Sequence, residues 1–398
     1  MRRANQSQTR SSFDYDVVIV GAGMVGAALA LRLSARSSLN ICLLERASML
    51  LSTTTPNQRV VALGQQARNV LTELDVFQQL STSQAYPYQS MHVWDAASHG
   101  QLHFAASDVN EPQLGFMVDA IRCNYLLQQR CIAAPKITCH FDTQLRALEN
   151  TSQGAWLETS QGRINARLVV AADGANSWVR RQARIFTNKI DYQQTGIVTR
   201  VMSEKSHENC AWQRFLDTGP VAFLPLADNQ CSIVWSVDSA VLAPLMACED
   251  DEFARQLASS IENRLGTLQL LDPRQSFRLR SQRAECYFDQ CVVLIGDAAH
   301  SIHPLAGQGV NLGLHDVACL SRVLSSTASE ELACATTLSQ YQRRRKPANE
   351  QVDRAMSLLR AAYQTSSPIW STMRGTGMNL ISRSPWMRRL LVRQALGV

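Results

Sequence analysis

YDVVIVGAGMVGAALALRLSARSSLNICLLER, residues 15–46, decides the fold of this chain. YDVVIV, 15–20, is a continuous run of the kind that forms a strand buried on both faces of a parallel sheet. GAGMVGAALALRLSAR follows as a glycine turn opening into an Ala/Leu-rich helix, and ICLLER, 41–46, reads as a second strand. Strand, helix and strand in about 30 residues make a βαβ unit. Gly21, Gly23 and Gly26 stand in the turn at G-x-G-x-x-G spacing. The first glycine permits the tight turn, the second lets backbone approach a pyrophosphate, and the third lets the helix pack on the sheet. A pyrophosphate then rests on the helix N-terminal amides. Glu45, with Arg46 beside it, ends the second strand, where an acid accepts hydrogen bonds from a ribose diol. A glutamate there repels a 2′-phosphate, which favours NAD or FAD over NADP.

Outward from this unit, 59–80 is predicted as a helix, 91–104 as a hairpin and 124–134 as a helix. Residues 137–150 and 155–174 read as strands with a Gln-Gly turn. From 191 to 240 the character changes to strand-like runs separated by turns, an antiparallel sheet inserted into the first fold. Residues 250–265 read as a helix, and CVVLIGD, 291–297, returns to the parallel sheet. Helices are predicted over 310–325 and 335–362, then a Trp/Met/Arg-rich helical pair. The expected class is α/β with an α+β insert: a Rossmann-like dinucleotide domain with a parallel sheet, interleaved with an antiparallel-sheet domain, and C-terminal helices. The expected divisions are 14–80, 105–185 and 280–340 for the dinucleotide domain, 81–104 and 186–279 for the substrate domain, and 341–398 for a basic helical segment.

The chain has 398 residues and is 45% hydrophobic, enough for two or three domains with real cores. No run approaches the roughly 20 apolar residues that cross a bilayer. The N-terminus has no apolar signal region, and the expected location is cytoplasmic. Eleven cysteines lie scattered in apolar segments without a C-x-x-C pair and are expected to be reduced buried thiols. The net charge of +6 belongs to the tail: from Gln340 onward eleven Lys/Arg face two acids, and the remainder is slightly acidic. No nucleic-acid groove is indicated.

Two more turns matter. LVVAADGANSWVRR, 168–181, runs from a strand into Asp173-Gly174 and a helix start; alone it is a common Asp-Gly turn. GDAAHSIHPLAGQGVNLGLHD, 296–316, puts Asp297 at a strand mouth, followed by residues that cannot pack a core. Asp297 can accept hydrogen bonds from a polyol. Gly307 and Gly309 would bring backbone amides near a flat ring, and the helix from Val310 would point its positive end at charge on that ring.

Together, GAGMVG with Glu45, ADGANSWVR and GDAAHSIHPLAGQGVNLG resemble the FAD-dependent aromatic hydroxylases of the p-hydroxybenzoate hydroxylase type, and are most similar to the ubiquinone-biosynthesis hydroxylases. The resemblance implies FAD as cofactor, held by Gly21, Gly23, Met24 and Gly26 of the first turn. Glu45 and Arg46 would lie at the adenosine ribose, Arg59 at the pyrophosphate, and Asp173 near the phosphates. Asp297 would bind the ribitol, with Pro304 fixing the loop and Gly307, Gly309, Val310 and Asn311 facing the isoalloxazine. Where the family has Glu-Asn after FMV, this chain has Asp119-Ala120. The implied reaction is ring hydroxylation of a polyprenylated phenol or quinol through a C4a-hydroperoxyflavin, with NAD(P)H or another reductant and O2 as co-substrates.

Phe223, Pro225 and Trp235 are substrate candidates as a greasy wall facing the flavin; the alternative is plain sheet core. His300 and His303 form H-x-x-H without a third ligand at credible spacing, so no metal is expected. The segment 366–398 can lie on an anionic membrane or pack as a solvated helix pair. A ubiquinone-biosynthesis complex is a further expected partner. Two rivals share the fold: an FAD-dependent prenyl-chain reductase and a non-catalytic lipid-binding escort.

Overall fold

The computed structural model describes residues 13–51, 59–302, 309–364 and 368–396. β1 (Tyr15–Val20), α1 (Met24–Arg36) and β2 (Ile41–Leu44) are the predicted unit. Next come β3 (Val60–Leu63) and α2 (Gln65–Glu73). The predicted helix over 59–80 is therefore corrected at its start. VVAL pairs antiparallel with a later strand, and Gly64 ends it before α2 begins. β4 (Ala85–Tyr88) precedes the predicted hairpin, β5 (Ser90–Asp95) and β6 (Gln101–Ala105). β7 (Gly115–Asp119) leads into α3 (Ala120–Ala133), which starts four residues before the predicted 124. Asp119 explains the early start: its side chain accepts from Ile121 N and Arg122 N as an N-cap.

β8 (Ile137–His140), β9 (Leu145–Thr151), β10 (Gly154–Thr159) and β11 (Gly162–Ala171) follow, then the short α4 (Trp178–Gln182). The insert holds β12 (Thr187–Ser203), β13 (Cys210–Leu216), β14 (Gly219–Pro225) and β15 (Gln230–Asp238). α5 (Ser239–Ala247), which the sequence reading does not foresee, and α6 (Asp250–Ser260) cover one face of that sheet. β16 (Leu268–Leu270) and the long β17 (Gln275–Ala284) complete it. β18 (Phe288–Asp289), β19 (Val292–Leu294) and the two-residue β20 (His300–Ser301) lead to α7 (Gly309–Ser325). α8 (Ala335–Gln364), α9 (Pro368–Arg383) and α10 (Pro385–Leu396) end the chain.

The first sheet runs β18-β19-β11-β1-β2-β8, with β10 attached to β11 and β9 to β10. β1 is parallel to both β11 and β2, and β11 is parallel to β19. Val17, Val18 and Ile19 have no exposed surface, as a strand covered on both faces requires. The second sheet runs β20-β17-β12-β15-β14-β13-β5-β6, and β3-β7-β4 form a third. β20 belongs to the loop that leaves β19 yet pairs with β17. One short loop thus bridges the parallel and antiparallel sheets. All eleven cysteines are unpaired, and no helix among the described residues is long and apolar enough to cross a membrane.

Candidate functional site

The carboxyl ends of β19, β11, β1 and β2 lie side by side. Beyond them stand Asp297, Asp173, the Gly21 turn and Glu45. In an open α/β sheet this edge, where the chain turns outward in two directions from a central strand, is where ligands bind.

The three turns touch. Gly21 has φ +105°, and a Cβ there would lie 2.4 Å from Ala172 O. Only glycine fits between the first turn and the Asp173 turn. A Cβ on Gly26 would stand 1.9 Å from Gly21 O, so its absence lets α1 meet the turn. Val25 carries the third turn: Cβ atoms on Gly296 and Gly313 would lie 3.2 and 2.6 Å from its methyls. Gly23 is different. A Cβ there meets nothing within 4 Å, and no side chain caps α1 at this residue. The amide end of α1 faces open room.

Glu45 turns back over the turn. Its Oε2 accepts from Ala22 N at 2.7 Å and its Oε1 from Ala47 N at 2.9 Å. Arg46 is exposed beside it. Asp173 Oδ2 accepts from Trp178 N at 2.7 Å and Val179 N at 3.1 Å, while its Oδ1 is buried without a partner. Asp297 Oδ1 lies 3.8 Å from where a Cβ of Gly309 would be, so the carboxylate reaches the start of α7. Asp297 is exposed at the cleft while its neighbours on both sides are buried. Partial desolvation by the surrounding protein lifts its carboxyl above the usual carboxylate range, against the opposing pull of His300 and Arg59. Asn311 is buried. Its Nδ2 donates to Ala62 O at 2.8 Å and its Oδ1 accepts from Gly64 N at 2.9 Å. Its amide therefore ties α7 to β3, and Gly309 and Val310 stand half-buried ahead of it. Arg59 is exposed just before β3, its carbonyl accepting from Ala120 N at 2.9 Å. Met24 is buried in α1. Pro304 and Gly307, like His303, lie outside the described residues.

Open space at Gly23, an uncapped helix end, an orphaned Asp173 oxygen and a carboxylate at the mouth of β19 fit FAD. Donors stand where a pyrophosphate would lie and acceptors where a sugar or ribitol would lie.

The substrate candidates do not gather at this edge. Phe223 and Trp235 are buried in a core with Phe253, Leu257 and Ile261 of the α6 side, and Trp235 packs 5.9 Å from Phe253. Pro225 shares their parity on β14 and is buried. As a wall facing the flavin these residues are corrected to core, because alternation along a strand sends 223, 225 and 235 to the helix-covered face. Leu224, on the opposite face, packs in a cluster with Met117, Val60 and Ala62. That cluster adjoins the strand gripped by Asn311.

Three supports were not singled out from sequence. Gln128 is buried; its Nε2 donates to Ala22 O and its Oε1 accepts from Leu50 N, each at 3.0 Å. Arg180 is buried and donates to Ala298 O at 2.7 Å and Ala175 O at 3.0 Å, tying the second turn to the third. Asp316 is fully buried under Gly296. For Asp316 the available signal was a lone acid on an otherwise apolar helical stripe; Gln128 and Arg180 carried none.

The fold and its three converging turns define an FAD-binding flavoprotein. A model of the FAD binding domain family matches residues 14–355. The 3-demethoxyubiquinol 3-hydroxylase of Escherichia coli (strain K12) is 34% identical over 96% of this chain and 98% of its own. Ubiquinone hydroxylase UbiL of Rhodospirillum rubrum is 32% identical over 96% and 89%. Among solved structures, p-nitrophenol 4-monooxygenase PnpA from Pseudomonas putida DLL-E4 superposes with a TM-score of 0.77 at 18% identity, over 96% of this chain and 97% of that one. The chain belongs to the FAD-binding monooxygenase family, within the ubiquinone-biosynthesis hydroxylases. It is a flavin-dependent monooxygenase that uses FAD, a reductant and O2.

Proposed function

We propose that this enzyme hydroxylates a ring carbon of a polyprenylated phenol or quinol in ubiquinone biosynthesis. One observation carries the reading beyond family membership: the loop bearing Asp297 joins the dinucleotide edge to the antiparallel sheet through β20. A ring seated on that sheet lies beside the cofactor. Bound FAD supplies reduction and oxygen activation.

The chain's own residues bind, orient and exclude water. In this reading Gly21, Gly23, Met24 and Gly26 admit the pyrophosphate, and Glu45 and Arg46 meet the adenosine ribose. Arg59 serves the phosphates, and Asp173 lies near them and orders the second turn through Trp178 N and Val179 N. Asp297 holds the ribitol, and Gly309, Val310 and Asn311 present amides to the ring. Asn311 cannot turn its side chain to the ring without losing Ala62 and Gly64, so its backbone is the contacting group. The substrate face is the one carrying Ala222, Leu224 and Val234, whose parity is opposite to that of the α6 core. Residues 14–80, 105–185 and 280–340 form the cofactor unit, and 81–104 with 186–279 the substrate unit.

Peripheral contact with the inner face of a membrane belongs to the same proposal. Ile369, Trp370, Met373 and Leu380 are exposed on one stripe of α9, and Trp386 and Leu390 are exposed on α10. Apolar groups on a basic segment suit an anionic lipid surface. Trp370→Glu with Met373→Glu should reduce sedimentation with anionic liposomes; equal sedimentation removes the membrane contact.

The reaction is tested with purified enzyme, a reductant, O2 and prenylated phenol precursors. Oxygen uptake coupled to a hydroxylated product is expected. Chain saturation without oxygen incorporation would give the reductase instead, and a correctly folded protein that never takes up FAD would give the escort. Complementation of strains blocked at each hydroxylation step then identifies the ring carbon.

A further inference from the structure

Asp316 lies on α7 with no exposed surface. Its two oxygens accept four hydrogen bonds. Oδ2 takes Gly296 N at 3.0 Å and His300 Nε2 at 2.5 Å. Oδ1 takes Arg345 Nε at 2.8 Å and Asn349 Nδ2 at 3.2 Å. The first pair flanks Asp297, one residue before it and three after. The second pair belongs to α8. Arg345 also donates to Asn349 Oδ1 at 2.6 Å, and Asn349 donates to Tyr287 OH at 3.2 Å.

A buried carboxylate persists only when charge and hydrogen bonds replace its water. Burial raises the Asp316 pKa, but His300 and then Arg345 outweigh it and hold the carboxyl at about 2. An ionised carboxylate only accepts, so the proton between the two groups sits on His300 Nε2. His300 Nδ1 is buried without a hydrogen-bond partner, so among the described residues Asp316 is the one side chain that hydrogen-bonds that ring.

Such an anchor matters because the loop has little regular structure of its own. Gly296 has φ +57°, the three residues 296–298 form a single 3-10 turn, and β20 is two residues long. Among the described residues its other hydrogen-bonded tertiary ties are Arg180 to Ala298 O and the pairing with β17, while Ala298 and Ala299 pack in the core.

We infer that Asp316 is a positioning residue for the cofactor: through Gly296 and His300 it fixes the loop that presents Asp297, and through Arg345 and Asn349 it ties that loop to α8. This deepens the FAD reading above and rests on it. A polar group merely filling space between α7 and α8 would make a different prediction, and the His300 pair separates the two.

The full-length chain is stripped of flavin and titrated with FAD, reading affinity and the visible spectrum of the bound flavin. His300→Gln keeps a donor at the reach of Nε2, and its affinity should stay within about threefold of the parent. His300→Leu keeps bulk without the donor and should lose on the order of tenfold or more, since a hydrogen bond to a buried charge is among the stronger ones. Its bound-flavin bands should move toward those of free flavin. Asp316→Asn should follow the leucine variant. Arg345→Lys covers the case in which His300→Leu does not fold: it keeps the charge, loses the fork, and should weaken FAD by about threefold or more. Equal affinity and spectrum for Gln and Leu, or an unchanged Asp316→Asn or Arg345→Lys protein, overturns the inference. Failure of the parent chain itself to take up FAD overturns the underlying reading instead.

Discussion

Replacing Gly26 by alanine should damage the fold before any cofactor is considered, whereas the same change at Gly23 should spare the fold and damage only cofactor binding. The contrast follows from distances. The Gly26 methyl would stand 1.9 Å from Gly21 O and 3.1 Å from Ala172 Cβ. A carbonyl oxygen is not the far end of a flexible side chain, so α1 and the turn must separate by roughly 1 Å to restore ordinary contact. Overpacking of this kind costs about 1–3 kcal/mol, which exceeds the roughly 1 kcal/mol that alanine gains over glycine in a helix. At Gly23 a methyl meets no heavy atom within 4 Å and φ is −69°. The backbone tolerates alanine, but the methyl occupies the room left for a pyrophosphate. Thermal denaturation of the flavin-free proteins should show Gly26→Ala melting below the parent and Gly23→Ala level with it. FAD titration should show Gly23→Ala weakened on the order of tenfold, about 1.4 kcal/mol. A Gly26→Ala protein as stable as the parent, or a Gly23→Ala protein with full FAD affinity, would refute the argument from these contacts.

Asp297→Ala should lower FAD retention through gel filtration while leaving the circular dichroism spectrum intact; an unchanged flavin-to-protein ratio contradicts its role. Asp95 and Arg374 form a buried ion pair at 2.6 Å that fastens α9 to the β5–β6 hairpin. Asp95→Asn strands the guanidinium at a cost of about 3–5 kcal/mol, so limited proteolysis should cut within or before α9 sooner; identical cleavage rates argue against the latch. Asp316 has a pKa of about 2, depressed below its unfolded value near ~3.9, so its contribution is present above pH ~4 and lost as pH falls toward about 2. The gap in urea stability between the parent and Asp316→Asn should therefore hold steady at neutral pH and shrink in acid; a gap that does not shrink places the carboxylate's stabilising partners elsewhere.

The cofactor edge was legible because its signals are local. Strand, glycine turn and terminal acid are written within residues 15–45, and the two later turns repeat a strand followed by aspartate. What failed was what depends on a distant partner. VVAL is four residues long, too short for its pattern to separate strand from helix; it is a strand because β7 offers Phe116–Asp119 across the sheet. The substrate face failed for a related reason. Period two divides β14 into 223 and 225 against 222 and 224, but helices cover parts of both faces, so both read as apolar. Only the position of α6 tells which face holds Trp235. Asp316 reads locally as a helical acid, and its meaning depends on Arg345, 29 residues later, and His300, 16 residues earlier.

α8 shows why the C-terminal helices cannot be treated as an appendage. In the middle of the helix, Arg345 and Asn349 hold Asp316. One turn on, Asp353 pairs with Arg283 of β17 at 3.3 Å. Arg360 donates to Tyr192 O and lies over the Tyr192 ring of β12, and Tyr363 stacks on Phe215 of β13 with centroids 3.6 Å apart. A single helix therefore grips the cofactor loop from its middle and three strands of the antiparallel sheet along its second half. Met378 of α9 completes the cover over Phe215 and Val93. Deleting 366–398 would strip that cover and break the Asp95–Arg374 pair, so a loss of liposome binding in the truncated chain would follow from disturbed packing as readily as from a lost membrane contact. Charges placed on Trp370 and Met373 leave Met378 and Arg374 in place, because those two side chains face the body of the protein while the first two face outward. The point variants, not the truncation, discriminate between a helix pair that only seals the sheet and one that also meets lipid.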